Sequence, residues 1–174
     1  MNVLITGAGG QLGRDCVQVL GTENTIHAFG SKDLDISDHD QVRRYFQEIR
    51  PDIAINCAAY TAVDGCETDR ENCWRVNADG PGVIASVCAG IGTRMIHIST
   101  DYVFDGRKPV PDPYRETDPV RPLSRYGASK LAGEENIRDR IADHLIIRTA
   151  WLYGIGGRNF LKTMLRLALS DPHR

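Results

Sequence analysis

The chain has 174 residues, 41% of them hydrophobic and 25% charged, with a formal net charge of -2. That length supports one domain with a well-buried core and is short for two, and the balanced composition argues for a globular chain and against disorder or a nucleic-acid partner. No apolar stretch approaches the roughly 18 residues of a membrane span and Met1 to Thr6 carries no basic leader, so a cytoplasmic protein away from membranes is expected.

Asn2 to Thr6 is a short β-branched run that ends in glycines, and Leu12, Cys16, Val19 and Leu20 then repeat at helical spacing, which predicts strand, tight turn and helix. Thr25 to Phe29 reads as a second strand. Ser37 or Asp38 caps a helix with Val42, Tyr45, Phe46 and Ile49 on its apolar face, and Pro51 stops it. Ile53 to Asn56 is a third strand. A helix is expected to begin at Asn77 and run to the glycines at 90 and 92, followed by a strand from Arg94 to Ser99. Asp101 to Arg125 carries five prolines and is too long for a turn; loops of that length inside a compact domain are usually functional. A helix from about Ser124 to Ile141, a strand from His144 to Arg148 and an amphipathic helix from Asn159 to Ser170 complete the series.

Strands alternating with helices of this length predict an α/β fold, a doubly wound parallel sheet of the Rossmann-like, NAD(P)-binding type spanning 1–174. Ligands in such sheets lie beyond the carboxyl ends of the strands, so the residues after Thr6, Asn56, Ser99 and Arg148 should converge on one crevice.

Gly7, Gly10 and Gly13 stand three residues apart between a strand and a helix, where the backbone must turn, approach a pyrophosphate and let the helix pack. An acidic residue about twenty positions on should meet the adenosine ribose, and both Asp33 and Asp35 qualify. Ser31 and Lys32 stand where a 2'-phosphate would be held, so NADPH and NADH remain open. Ala58 and Ala59 are small enough for a flat cofactor to pack on backbone, or simply for tight helix packing. Tyr126 and Lys130 share a helix face at i and i+4, where the ammonium should lower the proton affinity of the phenol, as a proton donor to a developing alkoxide requires. Ser99 and Thr100 place hydroxyls at the strand end opposite. The five cysteines, 16, 57, 66, 73 and 88, are odd in number and at no zinc-ligand spacing; they are expected as reduced, buried thiols, with no metal.

The glycine-rich start, the YxxxK pair and the Ser/Thr after the fourth βα unit resemble the extended short-chain dehydrogenase/reductases. More narrowly, Ala59-Tyr60-Thr61-Ala62-Val63-Asp64, Ser99-Thr100-Asp101-Tyr102-Val103-Phe104-Asp105-Gly106, Tyr126-Gly127-x-x-Lys130-Leu131-Ala132-Gly133-Glu134 and Arg148-Thr149-Ala150-Trp151-Leu152-Tyr153 resemble the dTDP-4-dehydrorhamnose reductase family. The resemblance implies hydride transfer from NADPH or NADH to the C4 ketone of dTDP-4-dehydro-L-rhamnose, giving dTDP-L-rhamnose for cell-surface polysaccharide. Tyr126 would be the proton donor, Lys130 would bond the nicotinamide ribose, and Thr100 would hydrogen-bond the carbonyl. Gly10, Gln11 and Leu12 would meet the pyrophosphate, Asp35 and Ile36 the adenine side, and Ala59, Tyr60 and Thr61 the middle of the cofactor, with Ser99 also counted among the cofactor-binding residues. Thr100, Asp101 and Trp151 would touch the sugar; a core aromatic is the plain alternative for Trp151.

The family continues into a smaller substrate-binding portion, whereas this chain stops at Asp171-Pro172-His173-Arg174, which implies a fragment. Two other readings share the fold. Dehydratases of the superfamily carry Asp-Glu after the threonine, and here Tyr102 follows Asp101, which disfavours dehydration. A non-catalytic NADP-binding subunit, like the regulatory subunit of methionine adenosyltransferase, has no need of Thr100, Tyr126 and Lys130 together. The nucleotide sugar is the expected partner; a homodimer is allowed but not required.

Overall fold

The computed structural model describes residues 1–157 and 159–170; the stop at Asp171 to Arg174 lies outside the described residues. Five parallel strands form one sheet: β1 (Asn2–Thr6), β2 (Thr25–Phe29), β3 (Ile53–Asn56), β4 (Arg94–Thr100) and β5 (His144–Thr149), in the order β2-β1-β3-β4-β5. The chain leaves β1 in one direction to make β2 and returns on the other side to make β3. The strand order therefore reverses at β1, and a crevice opens beyond the carboxyl ends of β1 and β3.

Residues in register across parallel strands project to the same face. Leu4, Ala54 and Met95 form one such row and bury themselves under α2 (His39–Ile49), α5 (Gly80–Ile91) and α6 (Arg125–Arg138), with Phe46, Ile84, Cys88 and Ile137 filling the space between. Two residues further along the strands the row becomes polar: Thr6, Asn56 and His97, each 2% exposed or less. The opposite face is thinner. Val3, Ile5 and Ile55 pack on Cys16, Val17 and Leu20 of α1 (Gln11–Leu20), while Leu145 and Ile147 of β5 stay exposed. α7 (Phe160–Ser170) buries none of its residues.

The strands and the first two helices fall where their periodicity placed them, and Asp38 is the cap of α2, accepting from the backbone N–H of Asp40 and Gln41. The helix expected to start at Asn77 differs. The chain is already helical in α3 (Gly65–Thr68) and α4 (Arg70–Trp74), passes through a π-helical turn at Arg75–Asp79, and only then enters α5, with Pro81 in its first turn. A π turn breaks the 3.6-residue repeat on which the sequence reading relied. α6 ends at Arg138 rather than 141.

Cysteine pairing also departs from expectation. Cys66 and Cys73 form a disulfide across the α3–α4 step, their Cα atoms 5.3 Å apart. Cys16, Cys57 and Cys88 are free, and burial pushes the thiols of Cys57 and Cys88 up to about 12, so both remain protonated.

Candidate active site

The first turn of the crevice is built from glycine because nothing larger fits. Gly7 has φ 69°, and a Cβ there would lie 2.5 Å from the backbone nitrogen of Ala58; a Cβ on Gly13 would collide with the carbonyl oxygen of Gly7. α1 starts at Gly10 with no side-chain cap, so its first amides face the crevice with the positive end of the helix dipole. Those features fit a pyrophosphate.

A cleft of about 920 Å3 runs from this turn across the sheet ends. Of the residues expected to meet cofactor or substrate, its wall includes all but Lys32, Asp33 and Tyr60. Asn77, buried in the π turn, accepts from the Tyr60 N–H at 2.9 Å and donates to its carbonyl at 3.0 Å, so the neighbours Ala59 and Thr61 reach the cleft. The Tyr60 hydroxyl instead lies 2.7 Å from the place of a Cβ on Gly65.

At one end of the cleft, Asp35 receives the Arg75 guanidinium at 2.6 Å and both the backbone N–H and hydroxyl of Ser37. Burial would raise its carboxyl, but these bonds outweigh burial and hold it below the ordinary range. Asp33 is a turn residue, accepting from Gly30 N–H at 2.8 Å. Ser31 lines the cleft and Lys32 does not. Arg75 was not foreseen: it sits in the π turn, outside any recognisable motif.

At the other end Tyr126 stands in the first turn of α6, whose start is capped by Ser124 accepting from Gly127 N–H at 3.1 Å. The ring of Tyr102 meets Tyr126 edge-on, with centroids 5.6 Å apart. The expected lowering of the Tyr126 phenol is overturned. Burial raises it, Asp101 and Tyr102 raise it further, and a hydrogen bond with Thr100 only partly opposes them. Lys130 does not act on the phenol because its Nζ points elsewhere, donating to Ile98 O at 2.7 Å and lying 3.2 Å from His97 Nε2. Burial pulls Lys130 down to about 8, against the opposing pull of Glu134 and Cys57.

Thr100 donates to Asp101 Oδ1 at 3.1 Å and accepts from Tyr102 N–H at 3.2 Å. Ser99 is less available than expected, since its hydroxyl donates to Glu134 Oε1 at 2.6 Å. Glu134, wholly buried, also accepts Arg148 at 2.9 and 2.7 Å and Arg138 at 2.7 Å. Trp151 lies on the cleft wall at φ 51°, edge-on to Phe160 at 5.2 Å.

The proline-rich loop is braced from within. Lys108 pairs with Asp118 at 2.6 Å, Tyr114 donates to Asp105 at 2.9 Å, and its ring stacks on Phe104 at 4.4 Å. With Arg148 it lines a second cavity of about 600 Å3 that shares Asp101, Tyr102, Thr149 and Ala150 with the main cleft. Among the described residues no group of three His, Cys, Asp or Glu side chains could hold a metal ion, and no helix is long and apolar enough to cross a membrane.

A parallel five-stranded sheet, a glycine turn at its switch point, and Thr100, Tyr126 and Lys130 on one wall define a Rossmann-type domain of the extended short-chain dehydrogenase/reductase class. Residues 1–173 match the RmlD substrate binding domain family, and the chain belongs to it. It is 46% identical over 167 residues to the spore coat polysaccharide biosynthesis protein SpsK of Bacillus subtilis, covering 95% of this chain and 58% of that protein. It is 43% identical to the dTDP-4-dehydrorhamnose reductase of Escherichia coli K12, covering 97% and 57%. The crystal structure of dTDP-4-dehydrorhamnose reductase from Bacillus anthracis in complex with NADP superposes with a TM-score of 0.94 at 44% identity, covering 97% of this chain and 60% of that one. The chain thus spans little more than half the length of the curated relatives it matches.

Proposed function

We propose that this domain is the cofactor-binding and catalytic part of an NADPH- or NADH-dependent reductase that converts the C4 ketone of dTDP-4-dehydro-L-rhamnose to the alcohol of dTDP-L-rhamnose. The observation that carries this reading is the convergence of Thr100, Tyr126 and Lys130 on the cleft whose other end is the Gly7–Gly13 turn. Amides at the start of α1 would hold the pyrophosphate, with Ala59 and Thr61 along the middle of the cofactor. When bound, the reduced nicotinamide supplies a hydride.

The raised Tyr126 phenol stays protonated near neutral pH, which loads it as the acid for the developing alkoxide. Thr100, next to it at the end of β4, would offer a second hydroxyl to the same oxygen by turning its proton away from Asp101 Oδ1. The cavity under the proline-rich loop, continuous with the cleft through Asp101 and Ala150, takes the sugar and its diphosphate. Because Asp35 is already engaged by Arg75, a guanidinium rather than a free carboxylate stands at the adenosine end, which favours NADPH. The complex of a relative with NADP supports the same choice. A non-catalytic NADP-binding subunit is disfavoured by the intact trio of side chains.

The test is NADPH oxidation with dTDP-4-dehydro-L-rhamnose by this domain joined to the remaining length that its relatives possess. Tyr126→Phe should lower turnover by about 10²–10⁴-fold while leaving NADPH affinity unchanged. Unchanged turnover would remove Tyr126 as the acid. No oxidation with any keto-sugar nucleotide would sink the reductase reading and leave the binding subunit.

A further inference from the structure

Behind Lys130 lies a buried hydrogen-bond row that the proposed chemistry does not use. Register places Thr6 of β1, Asn56 of β3 and His97 of β4 side by side on the α6 face of the sheet. Thr6 Oγ1 donates to Asn56 Oδ1 at 2.7 Å, and the backbone N–H of Ala58 donates to the same oxygen at 3.1 Å. Asn56 Nδ2 lies 3.0 Å from His97 Nδ1, and His97 Nε2 lies 3.2 Å from Lys130 Nζ. None of the four side chains is more than 2% exposed.

Each contact fixes the next. A backbone N–H can only donate, so the Asn56 oxygen must face Ala58 and its amide nitrogen must face the imidazole. Asn56 Nδ2 carries only hydrogens toward His97, which requires a lone pair on Nδ1. The proton of the neutral ring is then on Nε2, aimed at Lys130 Nζ. An ammonium there would set N–H against N–H, whereas a neutral amine accepts from Nε2 and still donates to Ile98 O at 2.7 Å. An imidazolium is excluded by the same logic at Nδ1, since it would set a second N–H against the Asn56 amide.

We propose that His97 is a positioning residue that holds Lys130 as a neutral amine in this inward position, with Asn56 locking the imidazole tautomer. Protonating Lys130 breaks the His97 contact and releases Nζ toward the cleft, where Tyr126 stands. The other groups facing Lys130 act differently. Glu134, one turn along α6, and Cys57, after β3, favour the ammonium; Glu134 is shared with Arg148 of β5 and with Arg138, and Cys57 is a protonated thiol. Burial pushes His97 itself well below its ordinary value, so the ring stays neutral as Lys130 titrates.

The structural part of this inference is independent of the reductase reading, and only its consequence for turnover rests on that reading. The test is NMR on the 174-residue chain with 15N-labelled histidine and 13C,15N-labelled lysine; there are four lysines, so the Lys130 curve is identified by its loss in Lys130→Arg. His97 should show a protonated Nε2 and a bare Nδ1, and Lys130 should titrate below the ordinary lysine value. His97→Gln, whose amide oxygen can accept from an ammonium, should raise the proton affinity of Lys130 by about tenfold or more. Asn56→Asp, which accepts from Nδ1–H, should reverse the tautomer.

A wild-type ring protonated on Nδ1 overturns the proposal, as does an unmoved Lys130 midpoint in a folded His97→Gln chain. If either variant fails to fold, the wild-type tautomer decides. In the full-length enzyme His97→Gln should move the corresponding limb of the pH profile of kcat/KM to higher pH. An enzyme inactive on every keto-sugar nucleotide would strike the reductase reading while leaving the tautomer result standing.

Discussion

Lys130 and Glu134 lie one turn apart on α6, both buried, and the fold treats them in opposite ways. Glu134 accepts four hydrogen bonds, from Ser99, from Arg138 and twice from Arg148, and these overcome the burial that would otherwise raise its carboxyl, so it stays charged. Lys130 has a backbone carbonyl and an imidazole, and burial prevails. A buried charge with matched partners ties strands to helix; a buried charge without them is an ionisable group held ready near neutral pH. Glu134 therefore belongs to the architecture that aligns β4, β5 and α6, and Lys130 is the group the proposed chemistry would draw on.

That contrast is broken most sharply by removing each charge in turn. Glu134→Gln leaves Arg148, whose side chain is only 15% exposed, without its carboxylate, and should cost about 3–5 kcal/mol in urea unfolding. Lys130→Met removes a buried amine whose protonated form the fold does not compensate, so it should leave stability unchanged or raise it by about 1 kcal/mol or more, while abolishing the proposed reduction when the domain is joined to the remaining length of its relatives. Equal destabilisation by the two changes would refute the distinction.

The pH dependence of stability should separate them as well. Glu134 titrates lower in the folded chain than in the unfolded one, so its contribution is present above about pH 4.5 and is lost as pH falls through the folded value. Lys130 has the opposite sense. Its folded value of about 8 lies below the unfolded 10.5, so the unfolded chain binds more protons between them and stability rises across that window. Difference curves against wild type should show Glu134→Gln losing the acid arm and Lys130→Met losing the alkaline rise. An alkaline difference that is flat from pH 8 to 10.5 would place the Lys130 amine outside the buried site.

Much of this arrangement was legible in the chain. Strand runs, the Gly7–Gly13 spacing and the Tyr126–Lys130 interval each have a period or an offset that the backbone enforces, and each stands where it was expected. The helical stretch from Gly65 to Asp79 was not, because a π turn has no 3.6-residue repeat to read. The side chain of Tyr60 turned away because Asn77, seventeen residues on, holds its backbone, a contact without a local signature. The sign of the Tyr126 shift was misjudged because spacing gives a shared helix face but not the direction of a flexible ammonium. His97 did leave a trace. It sits two residues before Ser99, the same strand parity, so strand alternation alone put a polar group on the helix-covered face.

The two guanidiniums on Glu134 offer the finest comparison. Arg148 binds both carboxylate oxygens, is mostly buried, and lies over the Phe104 ring at 5.1 Å, where it also walls the loop cavity. Arg138 makes one bond of 2.7 Å from a side chain 44% exposed, and water screens that pair. Arg148→Ala should therefore cost about 2–3 kcal/mol, since it removes a bidentate charged bond from a buried acceptor. Arg138→Ala should cost only about 0.2–1 kcal/mol, shrinking further at high salt. The double variant should exceed the sum of the singles, because the second loss leaves the Glu134 carboxylate buried with, among the described residues, only Ser99 still donating to it. Strict additivity in thermal melts of the three chains would mean that the carboxylate escapes to water once Arg148 is gone, and that burial of Glu134 depends on Arg148 alone.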